Sequence, residues 1–287
     1  MKKMLWAMWL ASCLIVPHVH AGDSRDLESS AVIKGNIVIA TDGSVKEVAI
    51  DDQVVAGTPI GHMVLQAAMQ WRFEPVIRDG AAVVAKSRMS VRIVAKRKED
   101  GNIDVRINGA TFGDGTTSEE LRSDKANYAK GHMPRYPESG IRSRVQGTVY
   151  LVLHVNREGK VVDIDAEQVN LKNMGPERLL AAFRKDFAES AIKAARTWTY
   201  TIPTSGPLAD RNDWIVRVPV AYDLWVDGKK PEPTFWQTYM PGPRNDIPWV
   251  HAYEPQPNVH RAVDAVADTA VLTDGVGPNL LTALDAG

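Results

Sequence analysis

Residues 146–164, QGTVYLVLHVNREGKVVDI, decide the fold. After Gly147, Val149, Leu151, Leu153 and Val155 recur at every second position. Arg157-Glu158-Gly159-Lys160 then turns the chain into a second alternating run, Val161 to Glu167. Period-two alternation on both sides of a glycine turn reads as an antiparallel hairpin. The same order stands earlier, at 34–50, KGNIVIATDGSVKEVAI, where Thr41-Asp42-Gly43-Ser44 marks the turn because Asp-Gly accepts the positive φ angles of a tight hairpin.

The segment after each hairpin is also repeated. Residues 64–80, VLQAAMQWRFEPVIRDG, correspond to 190–206, SAIKAARTWTYTIPTSG, each being a helix that ends in Trp before a Pro- and Gly-punctuated turn. A last strand closes each copy: 87–96, SRMSVRIVAK, and 216–224, VRVPVAYDL. In the first copy Thr58 caps and Pro59 opens the helix, whose Ile60, Met63, Val64, Ala67, Ala68 and Trp71 share one face. In the second, Phe187, Ala188, Ala191, Ile192, Ala195 and Trp198 form the stripe. Gly43 lies 28 residues before Trp71 but Gly159 lies 39 before Trp198, so copy two carries an insertion, placed at Leu171 to Lys185 as a loop. A duplicated β-β-α-β unit predicts an α+β fold of two like domains, residues 30–97 and 132–226, each a small antiparallel sheet with one helix on a face.

The ends and the connection read differently. Lys2 and Lys3 precede the apolar run Met4 to Val16, and Val19-His20-Ala21 offers small residues for cleavage, so 1–21 is expected to be a secretory leader. An uncleaved anchor is the rival, but 13 residues of helix rise roughly 20 Å against a hydrocarbon core of roughly 30 Å. A lipoprotein signal ending at Cys13, in Leu10-Ala11-Ser12-Cys13, is a third reading. Cys13 is the sole cysteine, so cleavage after Ala21 leaves neither disulfide nor thiol chemistry. The mature chain then has 32 basic against 35 acidic residues, a net charge of -3, which argues against nucleic acid as a partner. Residues 98–131 read as a polar linker in which only Ile103 to Ile107 alternates. Residues 227–287 read as a Pro-rich, largely disordered tail with a weak helix at Val259 to Leu272, in which Phe235, Trp236, Tyr239 and Trp249 are candidates to dock.

The second copy resembles the C-terminal domain of the TonB energy-transducer family over roughly Met133 to Val226. The resemblance rests on Pro134-Arg135-Tyr136-Pro137, Gln146-Gly147-Thr148-Val149, Glu158-Gly159-Lys160-Val161, Ala194 to Tyr200, Pro203, Gly206 and the strand Val216 to Leu224. The first copy looks like a degenerate member, with Gly35, Gly43, Ala67 to Phe73, Pro75 and Gly80 but no Tyr-Pro lead-in. The resemblance implies a unit that receives a peptide of an outer-membrane TonB-dependent receptor by strand addition. No stretch resembles that family's membrane anchor or Pro-rich spacer, so the expectation is a periplasmic, non-enzymatic protein- or peptide-binding module of the cell envelope without a stable membrane span after cleavage, linked to transmembrane transport through its partner and capable of self-association.

Pro219 lacks the donor a central strand needs, which places the last strand at a sheet margin. The expected partner-binding edge runs from Ile215 to Val226, with Ile215, Arg217, Val220, Ala221, Tyr222, Asp223 and Leu224 as contact residues, because an edge offers unpaired N–H and C=O groups to an extended chain. Pro219 has a second reading as a block to such pairing. Other chemistry has simpler explanations. His18 and His20 lie in the leader, His62 on a polar helix face and His154 on the outward face of its strand, so neither metal nor cofactor is expected. Asp51, Asp52, Asp163 and Asp165 read as solvated charges at strand ends, and Lys86, Arg88, Arg92 and Lys96 as a solvated basic face. A secreted enzyme whose site assembles only in three dimensions, and a structural envelope protein, are the alternative functions.

Overall fold

The computed structural model describes residues 27–113, 123, 125–206, 208–225, 235–253, 272–275 and 277–284. The leader with Cys13, linker residues 114–122 and 124, Val226 and the tail helix expected at Val259 to Leu272 (but for Leu272) lie outside the described residues. The first half comprises β1 (Glu28–Ile39), β2 (Val45–Ile50), a one-turn α1 (Gln53–Ala56), α2 (Pro59–Met69), a small hairpin β3 (Ile77–Arg78) and β4 (Ala81–Ala82), β5 (Ala85–Arg97) and β6 (Ile103–Phe112). The second comprises β7 (Asn127–Lys130), α3 (Glu138–Ser143), β8 (Gly147–Asn156), β9 (Val161–Leu171), α4 (Glu177–Ala195), β10 (Thr199–Thr201) and β11 (Asp213–Tyr222). The tail adds β12 (Gln237–Tyr239), α5 (Pro248–Tyr253) and β13 (Leu272–Thr273). The fold is α+β. Among the described residues, no helix is long and apolar enough to cross a membrane.

The two halves are built alike. β1 lies between β2 and β5, with Ile37 opposite Val48 and Ile33 opposite Val91; β8 lies between β9 and β11, with Leu153 opposite Ile164 and Val149 opposite Val220. All these pairings are antiparallel. Thr58 accepts a hydrogen bond from the Gly61 N–H at 3.1 Å and Pro59 opens the helix, so α2 starts where the capping pattern puts it. Val64, Ala68 and Trp71 of the first half, and Phe187, Ala191, Ala195 and Trp198 of the second, are buried on their sheets. Trp71 and Trp198 are core, as the apolar stripes require.

The hairpin glycines show why the repeat tolerates no other residue there. Gly43 and Gly159 have φ of 80° and 71°, and a side-chain carbon at either would sit 2.0 Å from the Phe73 carbonyl oxygen or 2.1 Å from that of Tyr200. In return the Phe73 and Tyr200 amides donate to the Gly43 and Gly159 carbonyls, both at 2.8 Å. Each turn is thus fastened to the chain two residues after its tryptophan.

Four expectations are corrected. The linker reading of 98–131 fails at β6, a full strand on β5, because Ile107, Ala110 and Phe112 are buried and Phe112 meets the rings of Trp71 and Phe73 edge-on. The insertion of copy two is not a loop: α4 has 19 residues against 11 in α2, and β9 has 11 against 6 in β2. The basic face is not all solvated. Arg92 is buried, donates to the Ser30 hydroxyl at 2.9 Å and lies 5.5 Å from the centre of the Tyr239 ring, while Arg88 pairs with Asp51.

The fourth correction concerns the tail, of which 235–253 and 272–284, apart from residue 276, are placed against both halves. β12 pairs with the start of β1, Glu28 opposite Tyr239, and the next residue, Met240, exchanges hydrogen bonds with Leu171 at the end of β9. β13 pairs with β11. A few residues on, Leu280 bridges Phe73, while Glu74 and Leu281 donate to the Asn279 and Arg72 carbonyls at 2.9 and 2.7 Å. The tail's apolar residues explain this placement, since Met240 and Leu280 complete the two cores and Ile247 and Val250 cover Val152 and Ile215.

Candidate functional site

The expected binding edge is built on β11, where sequence and geometry meet at one outward row of peptide groups. Asp274 donates its N–H to the Ile215 carbonyl at 3.0 Å, and the β8–β11 register runs unbroken from Asp213 to Tyr222. By the alternation of an antiparallel ladder, Ile215, Arg217, Pro219 and Ala221 therefore turn their peptide groups away from β8. Pro219 falls in this row, where its missing donor removes no bond to the central strand. β11 is thus a margin on which β13 has been laid, with Val216 opposite Thr273 and Arg217 opposite Leu272.

This overturns the expectation of a bare edge from Ile215 onward. Ile215 is buried with Val152, Ile247 and Val250 beneath α5. Arg217 is also buried: its Nε and Nη2 donate to the Glu167 carboxylate, both at 2.9 Å, and its Nη1 donates to Asp274. Val220 and Tyr222 face the helix and are core. Asp223 takes an ion pair from Lys172 at 2.6 Å, and the Leu224 amide donates to Gln146 at 3.0 Å, so both are spent fixing the strand's exit. Of the seven residues only Ala221 is an exposed member of the outward row, and among the described residues its N–H and C=O have no backbone partner. The layer is also not half-covered. α4 lies on one face, α5 and the chain leading to it on the other, and all but the last residue of β8 are buried.

The lead-in Pro134-Arg135-Tyr136-Pro137 builds a second surface. Tyr136 meets the rings of Phe187 and Tyr222 edge-on at 5.7 and 5.4 Å and donates to the Val145 carbonyl at 2.6 Å. Burial, with the nearby Asp223 charge, raises its phenol to about 12. Burial also raises the Tyr222 and Tyr200 phenols. Trp198 donates to the His132 carbonyl at 2.8 Å, Ser190 to the Arg135 carbonyl and Ser139 to Asp186, which pins residues 132–139 along α4. Between that segment and the helix lies an open groove of about 830 Å³, lined by Met133, Arg135, Glu138, Asp186, Glu189 and Lys193 among others. Met133 is 78 % exposed there. Sequence reasoning does not select these residues; the signal is two prolines holding an extended stretch beside a helix face that is polar.

The other candidates are structural. His154 is buried, its Nδ1 3.0 Å from Asp163, and its ring packs 4.3 Å from that of Tyr253 in α5; Asp165 accepts from the Trp249 indole at 2.9 Å. Both carboxylates expected in solvent thus help seat α5. Asp52 caps α1, accepting from the Val54 and Val55 amides at 2.9 and 3.2 Å, and the Arg88 guanidinium holds the Asp51 carboxyl below its usual range. Among the described residues no group of three or more His, Cys, Asp or Glu is placed to share a metal ion. Compared with known proteins, the chain matches no protein-family model, no curated protein and no solved structure.

Proposed function

We propose that this protein is a non-enzymatic binding module of the cell envelope, and that the groove between residues 132–139 and α4 takes an extended segment of a partner protein. The observation that carries the reading is the groove itself. Its volume is in the range of ligand sites, an exposed Met supplies adaptable apolar contact, and both charge signs stand along its walls. Arg135 and Lys193 on one hand, and Glu138, Asp186 and Glu189 on the other, would fix the register of a peptide carrying both signs. A periplasmic setting is supported by the leader-like residues 1–21, and a transducer-like role beside an outer-membrane receptor by the motifs of the second copy together with the matching β-β-α-β order of the two halves.

Strand addition at β11 is the second reading, favoured by the outward N–H and C=O of the exposed Ala221. It is limited to the stretch past β13. The two readings separate in a selection of displayed peptides on the whole protein. If the groove binds, Met133→Asp and Lys193→Glu abolish the selected binding while Ala221→Pro leaves it intact. The reverse pattern assigns the site to β11. Binding that survives all three changes refutes both.

A further inference from the structure

The first sheet ends on β6, and the residues along its free side are complementary to themselves. The Lys98 N–H donates to the Asn102 carbonyl at 2.8 Å at the β5–β6 turn, which makes that pair a hydrogen-bonded one. Alternation from there sends the peptide groups of Asp104 and Arg106 toward β5 and those of Ile103, Val105 and Ile107 outward. At the far end Gly113 donates to the Arg88 carbonyl at 3.1 Å, and the one-residue bulge between Ile107 and Gly109 reconciles the two ends. Among the described residues no strand or loop backbone bonds to the outward side of residues 103–107. The bulge confines the flat part of the margin to those five residues.

We propose that two copies of this chain associate through β6, antiparallel about a twofold axis at Val105, joining their first sheets into one. A twofold axis brings the same patch of both copies together, so the segment must complement its own reverse. Centred on Val105, Val105 faces its own symmetry mate and Ile103 faces Ile107 of the second copy. All three are outward residues, and each such pair exchanges two backbone hydrogen bonds. Shifting the axis to residue 104 or 106 still pairs outward peptide groups, but it sets Asp104 opposite Asp104 or Arg106 opposite Arg106, and like charges directly opposite are destabilising. Shifting it to 103 runs into the turn, and to 107 into the bulge. One register remains.

In that register the side chains also agree. Asp104 of each copy stands across from Arg106 of the other, an opposite-charge cross-strand pair made twice. Within one copy these two groups are held loosely: their closest approach is 3.9 Å, with Lys98 3.1 Å from Asp104 and Glu28 3.5 Å from Arg106, and both side chains are about two-fifths exposed. On the opposite face, Ile103, 64 % exposed in the single chain, comes to lie beside Ile107, which is already buried in the first core. A five-residue margin buries less surface than a permanent dimer requires, so the association is weak and concentration-dependent. It involves neither the α4 groove nor β11 and stands whether or not either binds a peptide.

The test is sedimentation of the full chain over a concentration series reaching about 1 mM, the scale of weak association. Wild type is expected to form a reversible dimer. Asp104→Arg and Arg106→Asp should each weaken self-association at least tenfold, because each places like charges opposite one another. An equimolar mixture of the two variants restores an opposite-charge pair at both positions and should recover dimers. Val105→Pro, which takes away an outward N–H but no hydrogen bond to β5, should abolish association, whereas Val105→Ala, which trims the same core-facing side chain but keeps the N–H, should retain it. A chain that is monomeric throughout overturns the proposal, as does a dimer indifferent to both charge changes. A mixture that gains nothing over its components overturns the register.

Discussion

Single residues set the turns of this chain, and they are the most legible part of the sequence. Gly43 and Gly159 are readable as hairpin signals because left-handed backbone favours glycine; what the sequence does not say is that a carbonyl oxygen lies where their side chains would begin. Gly159→Ala is therefore expected to destabilise by about 1–3 kcal/mol, seen as a lower urea midpoint with unchanged slope. Arg217 reads as an outward edge contact. Alternation places its face correctly but cannot show that Glu167 and Asp274, 50 and 57 residues away, meet it beneath the tail. Arg217→Met leaves those buried carboxylates uncompensated and should cost about 3–5 kcal/mol in chemical unfolding, most of it regained when Glu167 and Asp274 are made apolar as well. Tyr136 yields a prediction in alkali. Its phenol ionises near 10 in the unfolded chain and about 12 in the folded one. Below pH 10 both states hold the proton; between 10 and 12 the unfolded chain alone releases it, so folding stability falls as pH rises through that window. Tyr136→Phe should flatten the fall in unfolding free energy measured across pH 9–12, after an initial loss of about 1 kcal/mol for the hydrogen bond to Val145.

At the scale of elements, strands and helices that repeat are legible, and those completing each unit are not. β1, β2, β8, β9 and β11 carry alternation strong enough to read directly, and Thr58-Pro59 marks the start of α2. β6 is legible only as far as Ile107, because the bulge at Asn108 and Gly109 breaks period two before Ala110 and Phe112 resume it on the core side. Comparing the halves explains the omission. β5 is flanked by β6, its neighbour in sequence, whereas β11 is flanked by two residues of β13, and no local signal at β11 announces a partner 55 residues later. Ile107→Asp would test whether β6 is integral. Burying an unpaired carboxylate in the first core should cost several kcal/mol in chemical unfolding, whereas in a linker it would cost nothing.

For the molecule as a whole, the duplication describes two units, and the tail makes them one object. Its composition reads as disorder because Pro-rich, aperiodic chain lacks a face of its own; its few apolar side chains instead complete cores that belong to the repeats. Removing the chain from Phe235 onward should uncover Val152, Ile215 and Arg92 and strip Met240 and Leu280 from the cores. Calorimetry should then show the single transition of the intact protein replaced by a broader, lower one, with increased binding of an apolar dye.

The pairing of Ser29 with Thr238 spans 209 positions of the chain. A polypeptide emerging from its amino end makes the first strand early and must hold it unfinished until nearly everything else has been made. Closing a ring of that size is slow, and the waiting margin is open to wrong neighbours meanwhile. The order of synthesis thus leaves one margin of the earliest segment open until the tail is made, and a holding factor acting on the nascent amino-terminal half should raise the yield of native protein more than one added after release.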